Sequence, residues 1–428
     1  MNMNNHRHNL RSGAAVAAMA LCVPLLGGCS TATEASGLDD TITFAYPAIA
    51  NSNTWETMAE SYEEQTGAKV EVEAIPIDGY NSALSTRLQG GNAPDMFLTE
   101  PGTNGVGTGV TTLGEADLLG EVTGAATDLI NPDELAAYSV DGKAYGFPLW
   151  TVPKTAVTID SNLEALGGKW PETIDEMLAM CTAAKGQNLS FTLGQFGNPF
   201  TADGQTLLVA TSSVYAKDPD WDEKRARNEV TFSDTEGWHY ALQTVSDMFS
   251  AGCYQDGAEA AAGEFLADVM AGVTPPLASL STGEADIWKV LADALPAEGF
   301  SVQAFPGQTA ENRRVINSVK YTVSSSAASE KDEAIQAYID WLVEPSQRQQ
   351  IAELTGGIPA GELNEETLPE VYAPIGKFVT DDQVISEPGL GIWPDAVLQA
   401  MQEGVPGLFT GQKTVDQILG DMDAAFDA

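Results

Sequence analysis

Of the 428 residues, 61 are acidic and 20 basic, giving a formal net charge of −41. A chain this acidic repels phosphate backbones, which excludes a basic nucleic-acid groove. The acids are scattered along the chain, as in a solvated surface that keeps a protein dispersed.

The N-terminus reads as an export signal. Arg7 and Arg11 precede an apolar run from Ala14 to Leu26, and small residues lead into Cys29. The run contains Pro24 and is short of the roughly 20 apolar residues that span a bilayer. "LGGC" (26–29) has the form of a bacterial lipobox, which makes Cys29 the expected site of lipidation and residues 1–28 the signal peptide. Residues 29–37 are small and polar, suited to a flexible tether. No later stretch approaches 18 consecutive apolar residues, so the lipid would be the only hold on the membrane. Roughly 390 residues after Cys29 exceed one comfortable core and imply two lobes.

Strands and helices then alternate. "TITFAY" (41–46) reads as a buried strand. Asn53 and Glu56 suit a capping box for a helix that carries Trp55, Met58, Ala59 and Tyr62 on one face and stops at Gly67. "KVEVEAIPI" alternates as a second strand, a helix runs over about 80–88, and "MFLT" (96–99) makes a third strand. Glycines in "GTNGVGTGV" (102–110) lack the spacing of a nucleotide fingerprint and read as a loop. Further capping boxes are expected at Thr173/Glu176, Ser233/Glu236 and Thr414/Gln417. The alternation implies an α/β fold with parallel sheets covered by helices.

Catalytic and metal signatures are lacking. His239 is the one histidine beyond Cys29 and sits in a predicted helix, and no nucleophile elbow, phosphate loop or zinc motif occurs. No cofactor and no metal site are expected. The many acids still offer carboxylate pairs for glycoside hydrolysis, which keeps a secreted hydrolase open as an alternative. Cys181 and Cys253 can bridge in an oxidising compartment, though Cys181 on an apolar helix face also suits a free buried thiol.

Five segments in order carry a family likeness: "LQGGNAPDMFLTEPG" (88–102), "DGKAYGFPLW" (141–150), "NLEALGGKWPETIDEML" (162–178), "YIDWLVEPSQRQQIAELTGGIPA" (338–360) and 391–426, which begins "GIWPDAVLQAM". The chain resembles the family 1 extracellular solute-binding proteins of ABC importers, the maltose-binding-protein-like group, with "DPDWDEKRARNEVTFSDTEGWHYALQ" (218–243) similar to actinobacterial members. The resemblance implies a periplasmic-binding-protein-like fold, two α/β lobes joined by a multi-crossover hinge with the ligand cleft between them. It places 38–147 and 308–355 in the N-terminal lobe and 148–307 and 356–428 in the other. The crossings fall near 146–150, 305–314 and 355–360. It also implies a monomer on the outer face of a Gram-positive, actinobacterial membrane. That monomer would capture a carbohydrate, an oligosaccharide first of all, and pass it unchanged to the permease subunits. A non-sugar solute is the alternative on the same fold.

Ligands in such folds meet loops at the carboxyl ends of strands. Carried onto this chain, that rule selects Tyr46, Asn51, Glu100, Trp150, Phe196, Ser281 and Trp393 as ligand-binding residues. Trp150 and Trp393 are the expected stacking platforms, because the axial C–H faces of a sugar are apolar. Trp55 is assigned to the core by its helical spacing, and Trp288 is left out.

Overall fold

The computed structural model describes residues 41–48, 53–103, 107–263, 267, 277–361, 363–365 and 368–428. The signal segment, Cys29 and Asn51 lie outside them. The strands, in chain order, are β1 (Ile42–Ala48), β2 (Val70–Pro76), β3 (Met96–Thr99), β4 (Ser139–Val140), β5 (Lys143–Ala144), β6 (Trp150–Ile159) and β7 (Ser190–Thr192). They continue with β8 (Leu277–Glu284), β9 (Phe300–Gln303), β10 (Val315–Ser318), β11 (Thr322–Ser325), β12 (Ile358–Pro359) and β13 (Val384–Ser386).

The first sheet, in the order β11-β3-β1-β2, is parallel except at its β11 edge. Its helix Thr54–Thr66 buries Trp55, Met58, Ala59 and Tyr62 on one face, as the spacing predicts. Gly67 ends that helix at φ 79°, a conformation that only glycine adopts freely. The second sheet, β13-β10-β6-β8-β7 with β9 and β12 also on β6, departs from the parallel expectation. The long strand β6 runs antiparallel to β8, β9, β10 and β12, so only β7–β8 and β10–β13 are parallel pairs. Strand–helix alternation does not report the direction in which a strand enters a sheet.

The capping boxes at Thr173/Glu176 and Thr414/Gln417 form. The other two do not, because tertiary partners outcompete them. The Glu56 carboxylate, the reciprocal arm of the box, accepts a hydrogen bond from Tyr46 Oη at 2.8 Å, and the Asn53 side chain makes no cap bond. The backbone N–H groups of Phe232 and Ser233 donate to Asp423, at 2.7 and 3.0 Å, and the helix begins later, at Glu236. His239 stays on that helix's outer face, with Nε2 2.7 Å from the Ser233 carbonyl. A disulfide joins Cys181, in helix Ile174–Lys185, to Cys253 just past helix Glu236–Ala251.

Three chain passages connect the sheets. Phe147 bridges to Val323 in the first sheet, and three residues later Trp150 opens β6 in the second. The return comes later than the expected 305–314: Val315–Ser318 is still paired with β6, and Thr322 is the first residue on β3. The passage is therefore residues 319–321. The third follows helix Pro345–Thr355, where β12 lies against Trp150 and Thr151. Gly357 allows that approach, since a Cβ there would stand 2.7 Å from Trp150 Cδ1.

Candidate ligand cleft

The three passages floor a cavity of about 430 Å³ between the lobes. Its N-terminal-lobe wall holds Tyr46, Trp55 and Leu98, and the passages supply Trp150, Lys320 and Tyr321. The opposite wall is one face of helix Ile287–Ala294, presenting Ile287, Lys289, Val290 and Asp293, with Asp286 just before it. An i, i+3, i+4 pattern on that helix thus faces the cleft rather than a core.

Strand ends put the aromatics there. Tyr46 is the fifth residue of β1, and its phenol stays protonated through burial and its bond to Glu56. Trp55 stacks on Phe44, with centroids 4.3 Å apart, and lies 6.3 Å from Trp150. It is a core residue, as expected, and also a wall of the cavity, which the spacing alone did not show. Trp150 is 4% exposed, and its buried indole N–H has no acceptor among the described residues.

Charge at the cleft floor is paired across elements. Lys320 lies 3.5 Å from Asp286, and that carboxylate holds the ammonium strongly protonated. Burial pushes the Asp286 carboxyl up, against the pull of Lys320. The Tyr321 phenol is pushed up to about 12, chiefly by burial. On the same floor Lys154 bonds Glu387 and stands 3.8 Å from Glu284. Glu100 follows β3 and is raised to about 7, first by burial and then by Glu284. Thr103 Oγ1 donates across the cleft to Asp395 Oδ1 at 2.7 Å.

The selected residues therefore separate. Tyr46 and Trp150 line the cavity, and Glu100, just past β3, is not among its lining residues. Phe196 is instead packed edge-on to Tyr254 and Phe409, at 5.0 and 4.6 Å, inside the C-terminal lobe. Ser281 is fully buried in β8, its hydroxyl 3.1 Å from that of Ser279 and its carbonyl bonded to Gln205. Trp393 packs against Trp221, Phe232 and Trp238 and donates its indole N–H to Asp222 at 3.1 Å. Phe196 and Ser281 are corrected to core positions, each with an interior partner from a distant segment, whereas Trp393 packs in that interior and also lines a second, smaller cavity with Thr103 and Glu387. Lys320, Tyr321, Asp286 and Lys289 were missed. The first two would follow from placing the passage at 319–321, and helical periodicity from Asp286 would have flagged the rest.

Residues 57–363 match the model of the bacterial extracellular solute-binding protein family. The chain belongs to that family. Membership makes it an extracytoplasmic solute-binding protein, and the interlobe cavity is where such a protein can enclose a solute. Curated proteins give no significant match to its sequence. Solved structures do. One comes from work on xylan utilization by the thermophilic bacterium Caldanaerobius polysaccharolyticus, with TM-score 0.72, 16% identity, and coverage of 90% of this chain and 99% of the other. A sugar transporter from Bacillus licheniformis in complex with stachyose has TM-score 0.67 and 17% identity, covering 90% and 99%. A family 1 extracellular solute-binding protein from Bifidobacterium longum subsp. infantis has TM-score 0.67 and 17% identity, covering 91% and 100%. At these identities the likeness establishes the two-lobed fold.

Proposed function

We propose that this solute-binding protein captures a carbohydrate, an oligosaccharide first of all, between its lobes and delivers it unchanged to the permease of an ABC importer. The observation that carries the reading is the Trp55–Trp150 pair at the wall of the interlobe cavity. Indole faces take the C–H faces of a sugar ring, while Asp286, Asp293, Lys289 and Lys320 can bond its hydroxyls. Stachyose in one structural neighbour and α-D-tagatose in another support this class of solute. We further propose that Cys29 carries the lipid that holds the protein, as a monomer, on the outer face of a Gram-positive membrane.

A thermal-shift screen with stachyose, raffinose, tagatose, xylo-oligosaccharides and chitin oligosaccharides tests it, with product analysis of each hit. At least one sugar should raise the melting temperature and be recovered intact. Trp150→Leu removes one ring of the aromatic wall, so affinity should fall by about tenfold, with circular dichroism checking that the fold is kept. Stabilisation by amino acids or polyamines alone would assign a non-sugar solute. New reducing ends would instead assign a hydrolase.

A further inference from the structure

Trp288 sits between Ile287 and Lys289, which line the cavity, and does not line it itself. Its indole N–H donates to the Gly356 carbonyl at 2.9 Å, and the Tyr372 phenol, from the short helix Glu370–Ile375, donates to the same oxygen at 2.7 Å. Gly356 ends helix Pro345–Thr355 at φ 82°, with its own N–H on the Ala352 carbonyl. The chain turns away there, so the Gly356 carbonyl lies outside that helix's hydrogen-bond ladder and accepts from other elements.

Two walls of the cavity meet at this point. Leu354 and Thr355, at the end of the same helix, line the cavity. A Cβ on Gly356 would stand 3.0 Å from Lys289 Cβ and 3.3 Å from the Asp286 carbonyl oxygen and Trp288 Nε1, so the first turn of helix Ile287–Ala294 rests directly on this glycine. Gly357 meets the other side, where a Cβ would stand 2.7 Å from Trp150 Cδ1 and 2.8 Å from the Thr151 carbonyl oxygen. Trp150 and the wall helix thus rest on adjacent glycines, and bare backbone sets the spacing between them. Buried Leu291 anchors the helix in the core of the C-terminal lobe, while the Trp288 bond ties its first turn to Gly356.

We propose that Trp288 is a positioning residue of the solute site: by holding the Gly356 carbonyl it fixes the wall helix at a set spacing from Trp150, and that spacing selects the solute. Trp288 acts through Ile287, Lys289, Val290 and Asp293, which its helix presents to the cavity. A wall fixed in advance cannot yield to a solute of the wrong width, and a solute that fits spends no binding energy on ordering it. This role rests on the solute site proposed above.

Trp288→Phe keeps an aromatic ring and removes the N–H, and its test has one arm without solute and one with. In hydrogen exchange of the solute-free protein, the amides of 287–294 should exchange about fivefold faster than in the wild type, the worth of one hydrogen bond. Helix Glu236–Ala251, away from the passages, should exchange as before. Calorimetric titration then uses the two sugars of the panel that stabilise the wild type most. Affinity for the better one should fall by about fivefold, and the ratio between the two should shrink. Unchanged exchange over 287–294 would overturn the proposal. So would faster exchange with the ratio of affinities unmoved, because a purely structural tie loosens the helix without altering the choice of solute. If no sugar of the panel binds the wild type, the carbohydrate reading falls, and the exchange arm still decides whether Trp288 holds the wall. Should circular dichroism show Trp288→Phe unfolded, Tyr372→Phe removes the other donor to the Gly356 carbonyl and takes its place, with the same expected and fatal outcomes.

Discussion

At the residue scale, one buried carboxylate organises the loop beside the cleft. Asp222 accepts hydrogen bonds from Tyr215 Oη at 2.8 Å, Trp393 Nε1 at 3.1 Å and the Gly389 N–H at 2.7 Å. Burial raises it to about 6, against the pull of those donors. Gly389 sits at φ 75° with the Trp393 ring 2.2 Å from where a Cβ would be, so the loop has no room for another residue there. Asp222→Asn would set an amide against one of three donors that need an acceptor. We expect a loss of about 2 kcal/mol at neutral pH, measured by urea unfolding. An unchanged midpoint would mean that the loop is held by aromatic packing alone. The resemblance to the family placed Trp393 at the cleft as a stacking platform. It had no means of seeing Asp222, 171 positions away.

At the scale of elements, the Cys181–Cys253 bridge fastens two helices of the C-terminal lobe across 72 positions. Closing a loop of that length restricts the unfolded chain by about 4 kcal/mol in the chain-entropy account. The double substitution Cys181→Ala/Cys253→Ala should therefore lower the unfolding free energy by an amount of that order. Because the bridge lies away from the passages, sugar-induced stabilisation should persist in the variant. The second cap that competes with local signals, Asp423 on the N–H groups of 232–233, belongs to the C-terminal helix. Capping patterns were legible where nothing distant intervened, at Thr173 and Thr414, and illegible where another element engaged the same groups, Tyr46 donating to Glu56 and Asp423 accepting from 232–233.

For the whole molecule, pH acts through two opposed sets of carboxyls. Asp203 and Asp222 are raised to about 6 by burial, and Glu100 to about 7. A raised acid contributes stability that is fully present below its unfolded value, about 4, and is lost as pH climbs through the folded value. Asp95 and Glu284 are lowered, Asp95 by Ser329, Thr43 and Lys331 and Glu284 by Lys154 and Lys320, in each case against burial. Their contribution is present above the unfolded range and lost as pH falls through the folded one. Stability should thus peak near pH 4 and decline from there to about pH 7, with Asp203 and Asp222 each contributing on the order of 2 to 3 kcal/mol over that whole range. The net charge of −41 adds self-repulsion in the same direction, so salt should lessen the loss. Melting temperatures across pH 4.5 to 8 check this, and Asp203→Asn should flatten the curve.

The sequence by itself determined the two-lobed α/β class, most element boundaries in the first sheet, and the likeness to the family. Those features rest on local periodicity, caps and ordered segments, which are written within a few residues of one another. Tertiary structure alone decided the antiparallel setting of β6, the passage at 319–321, and which aromatics face the cleft. A tryptophan at a strand or helix end becomes cavity wall or core according to what lies opposite. Trp150 stands beside Trp55 at the wall of the interlobe cavity, while the indole N–H of Trp393 is taken up by Asp222. That difference is made by residues far away in the chain, so no local pattern encodes it.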